Sequence, residues 1–191
     1  RRLLEDYDEA VAELGQRRGE AKGLVRISAP VALGELRLNR LMLQALAQHP
    51  QLQVELVLDD RFVDPVQERI DIAVRIGGTL PPDRVAQPLA VWPRWLVASP
   101  DYVQRRGKPR RPQDLARHDY LRYAGPGDAV SLDGPEGALR LELASRYRIN
   151  SAIALLEAVQ AGAGIALQPS WMANDLLREG GRVRLVPPWT G

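Results

Sequence analysis

Between residues 23 and 77 the apolar residues change their period repeatedly, and this constrains the fold more than any other feature of the chain. Leu24-Val25-Arg26-Ile27-Ser28-Ala29 reads as a short strand. After Pro30 a helical pattern runs from about Ala32 to Gln48, carried by Leu33, Leu36, Leu41, Leu43 and Leu46. His49-Pro50 ends it, because the residue before a proline is pushed out of the helical region. Gln53–Leu58 reads as a second strand, Phe62–Arg69 as a short helix, and Asp71–Ile76 as a third strand closed by Gly77-Gly78. Strand, helix, strand, helix and strand joined by short turns predict a parallel sheet flanked by helices.

The pattern resumes further along. Val85–Leu89 and Trp95–Ala98 read as extended. Ser99-Pro100 opens a helix over Asp101–Arg105, with proline in its first turn. Gln113–Ala116 is a helical turn and Tyr120–Tyr123 a strand. Residues 125–137, rich in Gly, Pro and Asp, read as a loop. Leu139–Leu143 and Tyr147–Ile149 read as a hairpin-like pair. Ser151–Ala161 is an apolar helix ended by Gly162, Ile165–Gln168 a buried strand, Trp171–Arg178 a helix and Val183–Val186 a last strand. With 191 residues, this predicts two α/β lobes of roughly 100 residues each. The crossing falls near Pro93–Ser99, giving 23–95 and 96–191. Ligands of such folds sit beyond the carboxyl ends of strands, often between lobes.

Residues 1–18 read as a helix preceding the first lobe, with residues 1–22 forming a separate segment. Leu4, Tyr7, Val11 and Leu14 step by three, four and three, the narrow stripe that a two-stranded coiled coil buries. An amphipathic helix packed on its own domain is the other reading of that stripe. Gly15, Gly19 and the stretch Glu20–Gly23 read as its frayed end and linker.

Composition removes several classes of function. The chain has no cysteine, which excludes disulfides, thiolate metal sites and cysteine nucleophiles. No run of about 18 apolar residues is present, and no apolar signal-peptide core is visible. His49 and His118 are the only histidines and read as surface or helix-end residues; no zinc-ligand spacing surrounds them. Neither a GxSxG elbow nor a phosphate-binding loop with its Lys and Ser/Thr occurs. Gly162–Ala166 (GAGIA) resembles a Gly-rich loop but lies after a helix and before a strand, so it reads as a helix cap. Asp59-Asp60 reads as a turn or capping pair. Arg105, Arg106, Lys108, Arg110 and Arg111 read as a solvated basic loop and not as a nucleic-acid patch. An enzyme is not expected, nor any cofactor.

Two helices begin directly after strands, near Pro30-Val31 and near Asn150-Ser151. Helix starts offer unpaired N–H groups and a positive dipole end. Asn150 and Ser151 can cap the helix, bind a ligand oxygen, or both. Arg61 can grip a carboxylate in bidentate fashion or simply pair with Asp59 or Asp64.

Five stretches, taken in order and spacing, resemble the regulatory domain of LysR-type transcriptional regulators. They are GLVRISAPVALG (23–34), HPQLQVELVLDDRFVD (49–64), ERIDIAVRIG (68–77), LVASPDYVQRRGKPRRPQDLARHDYLRY (96–123) and NSAIALLEAVQAGAGIALQPSWMANDLL (150–177). The resemblance implies a linker helix and then two Rossmann-like lobes similar to type 2 periplasmic binding proteins. It favours the coiled-coil reading of residues 1–18. It implies a small-molecule effector in the interlobe cleft near Pro30, Val31, Arg61, Phe62, Ile76, Gly77, Ser99, Tyr123, Asn150, Ser151, Gln168 and Pro169. Helix starts and Arg61 favour an organic acid there. It further implies a homodimer or homotetramer built through the linker helix and helices 33–48 and 153–161. It implies a cytoplasmic location and DNA contact only through a winged helix-turn-helix outside this chain, with a further strand and helix after residue 191. A solute-binding protein of a transport system is the alternative on the same fold.

Overall fold

The first strand, β1 (Gly23–Ala29), pairs in parallel with β2 (Leu52–Leu58), from Gly23 opposite Leu52 to Ala29 opposite Leu58. On its other side it pairs in parallel with β3 (Ile72–Ala73), giving the order β2-β1-β3. The computed structural model describes residues 21–61, 67–77, 86–124, 129–178 and 180–191. The chain divides into two units, residues 1–79 and 80–191.

In the first unit the expected parallel sheet is present. β3 is shorter than the predicted strand 71–76, with Val74 and Arg75 outside the ladder. The crossover helix is less uniform than its sequence. α1 (Val31–Leu33) passes through a π-helical turn, Gly34–Leu38, into α2 (Asn39–Gln48). At Gly34 helix and sheet pack tightly, with the Leu58 side chain filling the space a Cβ would need. Such single π turns interrupt otherwise regular helices. α2 buries none of its residues, and Leu41 and Leu43 stand exposed, so a wholly internal helix is excluded. The predicted linker helix and most of the predicted helix 62–69 lie outside the described residues; Gln67–Arg69 form a turn.

The second unit is a five-stranded sheet in the order β10-β4-β9-β5-β8. β4 (Arg94–Ala98) is antiparallel to β9 (Ile165–Pro169), which is parallel to β5 (Tyr120–Tyr123); β5 is parallel to β8 (Tyr147–Ile149). β10 (Val183–Arg184) closes the far edge, shorter than the predicted 183–186. Alternation along these strands separates two cores. Leu96, Ala98, Tyr120 and Ile165 face one cluster with Tyr102, Leu115, Leu132 and Leu185. Val97, Leu121 and Ala166 face the other with Leu155, Val159 and Ala173. α3 (Pro100–Arg106) and the 3₁₀ turn Pro112–Arg117 supply the first cluster; α4 (Ala152–Gln160) and α5 (Ser170–Arg178) supply the second.

The sequence reading of residues 125–149 is corrected here. β6 (Ala129–Gly134) and β7 (Gly137–Glu142) form the hairpin, with Gly134 opposite Gly137. β8 pairs with β5 in the main sheet instead of with β7. Glycine, proline and aspartate masked a strand whose Val130 and Leu132 alternate inward and pack on the first core. Of the expected boundaries, α3 and α4 keep the predicted caps. The Ser99 hydroxyl accepts from the Tyr102 N–H at 3.2 Å and the Ser151 hydroxyl from the Ala154 N–H at 3.2 Å. Each satisfies one of the otherwise unpaired donors of a first turn.

Candidate functional site

In the first unit all three strands run the same way, so their carboxyl ends share one edge. Pro30, Val31, Arg61, Ile76 and Gly77 follow those ends. The chain's own carboxylates already occupy this edge. Asp60 Oδ1 accepts the Val31 N–H at 3.0 Å, at the first turn of α1. Asp59 accepts from both Arg61 Nε (3.2 and 3.1 Å) and Arg61 Nη2 (2.7 Å), and from the Arg61 backbone N–H. These bonds hold the Asp59 carboxyl below the ordinary carboxylate range and push the Arg61 guanidinium up. The Arg61 side chain remains 85% exposed. Beside it, Arg75 donates to the Ser28 hydroxyl at 2.8 Å. The pairing of Arg61 with Asp59, one of the two sequence readings, is what the structure contains. Phe62 lies outside the described residues.

In the second unit the parallel strands β5, β8 and β9 bring Tyr123, Asn150, Ser151, Gln168 and Pro169 to one carboxyl edge. Ser151 is committed to capping α4. Asn150 is exposed and has no side-chain partner among the described residues. Gln168 is 1% exposed, yet among the described residues neither its amide nitrogen nor its amide oxygen has a hydrogen-bond partner. A buried amide left unpaired costs about 1–3 kcal/mol.

Ser99 does not belong with these residues. β4 runs antiparallel to β9, with Val97 opposite Ala166 and Arg94 opposite Pro169. Ser99 therefore sits at the opposite edge, beside Gly162 and capping α3. The antiparallel strand brings Trp95 to that carboxyl edge instead, opposite Gln168. Sequence reasoning missed Trp95 because strand direction is not written in a strand's own period.

A separate polar cluster ties α3 to the start of β5. The Tyr102 hydroxyl lies 3.2 Å from His118 Nδ1 and accepts the Asp119 N–H at 2.9 Å, while Arg106 pairs with Asp119 at 3.5 Å. His49 and His118 both occupy helix ends, as read from the sequence. Burial, then the Arg106 charge, lowers the His118 pKa below its ordinary 6.5. The fold thus favours neutral His118. That contribution is present above the ordinary value and is lost as pH falls through the lowered one. Acidifying from about pH 7 to about pH 5 should lower the melting temperature, and His118→Gln should flatten that part of the profile. Identical acid profiles in the two proteins would remove His118 from the account. Among the described residues, no group of three or more His, Asp or Glu side chains is placed to hold a metal ion. No described helix is long and apolar enough to cross a membrane.

Comparison with known proteins places this geometry. The LysR substrate binding domain family matches residues 18–191. The probable HTH-type transcriptional regulator LtrA of Klebsiella pneumoniae is 32% identical over 189 residues, spanning 98% of this chain and 61% of the relative. The regulatory domain of AphB from Vibrio vulnificus superposes with a TM-score of 0.73 at 26% identity, over 90% of this chain and 85% of that one. CrgA from Neisseria meningitidis shares the fold with a TM-score of 0.83 at 20% identity, over 100% of this chain and 65% of that one. The chain thus spans about three-fifths of the length of the curated relatives it matches. Its two α/β units, their strand order and a match over nearly the whole sequence make the chain a member of the LysR substrate-binding domain family.

Proposed function

We propose that this chain is the effector-sensing part of a cytoplasmic LysR-type transcriptional regulator, taking a small organic anion at the carboxyl ends of its parallel strands. The match of residues 18–191 to the family carries this reading, and the relatives named above are transcriptional regulators, not enzymes. Membership makes the chain a regulatory domain; the effector's class, its site and the partners are the proposal. Effector binding shifts a population of conformations and so alters winged helices outside the chain. Subunits pair through the linker helix and helices 33–48 and 153–161. The exposed Leu41 and Leu43 of α2, which buries none of its residues, support helix 33–48 as one of these surfaces.

The site residues proposed are those at the two carboxyl edges, with Ser99 removed. Asn150 at the start of α4 and the buried amide of Gln168 support a polar ligand at the second unit. In the first unit an anion competes with Asp60 for the Val31 N–H and with Asp59 for Arg61. Binding there requires those carboxylates to yield.

A thermal-shift screen with small carboxylic acids, aromatic acids, amino acids and sugars tests the reading, using wild type beside Asn150→Ala and Arg61→Ala. A true effector at a hundred times its Kd should stabilise the folded protein by about 2.7 kcal/mol. The shift should shrink in both variants. Stabilisation by a sugar or a cationic amino acid, and by no acid, would overturn the anion assignment.

A further inference from the structure

Residues 105–111 carry five cations, Arg105, Arg106, Lys108, Arg110 and Arg111, and no acid. Three of the five are engaged. Arg105 donates to the Gly162 carbonyl at 2.8 Å, Arg106 pairs with Asp119 at 3.5 Å, and Arg111 pairs with Asp114 at 3.5 Å. Asp114 is itself occupied, since its other oxygen accepts the backbone N–H groups of Arg110 (3.0 Å) and Arg111 (2.9 Å). The side chains of Lys108 and Arg110 are exposed and have no ion-pair partner among the described residues.

These two cations stand on either side of Pro109, which is buried. Together with Pro109, Val186 and Pro187 they line an open surface pocket of about 500 Å³. Its walls are apolar and rigid. Pro109 and Pro187 have fixed φ. Val186 is held at φ +43° although it is β-branched, and strained backbone of this kind recurs at ligand clamps. The surroundings over-determine it: Val186 is 4% exposed within the first core, and its carbonyl accepts the Trp189 N–H at 2.9 Å. The Pro187 carbonyl is held by Arg184, whose guanidinium lies 4.5 Å from the centre of the Trp95 ring.

From these features we infer that the pocket lined by Lys108, Pro109, Arg110, Val186 and Pro187 is a second ligand site. Its ligand is a small organic anion with a doubly charged head and a compact apolar body. The two unpaired cations match the head, and the proline and valine walls match the body. Preformed rigid walls spare the ordering that binding otherwise costs. The site shares no residue with the proposed effector site and gives the domain a second input.

Calorimetric titration with phenyl phosphate at fixed ionic strength tests this, with the wild-type chain beside Lys108→Ala/Arg110→Ala and Arg61→Ala. The wild type should bind one equivalent, and the double variant should bind at least about tenfold more weakly. Both substituted side chains are exposed, so folding is preserved and can be checked by circular dichroism. Arg61→Ala should bind as the wild type does, which separates this site from the effector site. Inorganic phosphate should bind more weakly than phenyl phosphate. Equal affinity in wild type and double variant, loss of binding in Arg61→Ala alone, or no phenyl phosphate binding by the wild type would each overturn the inference.

Discussion

Gly164→Ala is expected to cost the second unit about 3 kcal/mol, at the upper end of what overpacking does. A Cβ at this position would stand deep inside the contact distance of the Asp119 carbonyl oxygen, with Leu121 Cγ also close, at 3.0 Å. The obstacle is backbone, so no rotamer change relieves it. That same carbonyl accepts the Ile165 N–H at 2.9 Å, the bond that starts β9 beside β5. A methyl group must either push the strands apart or break this bond. Gly34→Ala is the informative comparison, because there the nearest atoms to the new Cβ all belong to the Leu58 side chain, which can turn away. Urea unfolding should show a large drop in midpoint for Gly164→Ala and a smaller one for Gly34→Ala. Equal drops would contradict the rigid contact. The reading of GAGIA as a helix cap fits this role. Ala163 N–H bonds the Ala158 carbonyl, Gly162 N–H bonds the Val159 carbonyl, and Gly162 sits at φ +73°. This is the paired arrangement that commonly ends helices on a left-handed glycine.

Leu155→Ala should be comparably damaging, by about 2–5 kcal/mol, against a total of about 5–15 kcal/mol for a typical domain. Leu155 is 1% exposed and packs from α4 onto Val97, Leu121 and Ala166 of the sheet and onto Ala173 of α5. Alanine is the better helix former, so helix propensity opposes the loss and the whole deficit reports packing. A thermal melt of the variant shifted by no more than an exposed-site substitution would show that α4 does not cover the sheet as described. Substituting exposed Glu157 on the same helix provides that reference.

Family and architecture were legible in the sequence to the extent that local periods encode them. Leu24–Ala29, Tyr120–Tyr123 and Ile165–Gln168 became strands because alternation or short apolar runs are local signals. Ser99, Pro100 and Ser151 marked helix starts because capping needs only neighbours along the chain. The hairpin 129–142 escaped because its turn-rich composition outweighed the alternation of Val130 and Leu132. For the candidate site, the sequence identified helix starts and strand ends but not what meets them.

The amino-acid sequence alone determined most of the described strands and helices, where many of them begin, and an aliphatic core free of cysteine chemistry. Only the tertiary structure decided which strands run antiparallel, and that choice took Ser99 to the far edge of its sheet and brought Trp95 opposite Gln168. Only the tertiary structure put the Asp60 carboxylate on the Val31 N–H and left the Gln168 amide buried without a partner among the described residues. The physical reason is range. Periodicity and capping act over a few residues, whereas strand direction, hydrogen-bond satisfaction and charge pairing depend on residues brought together from distant parts of the chain.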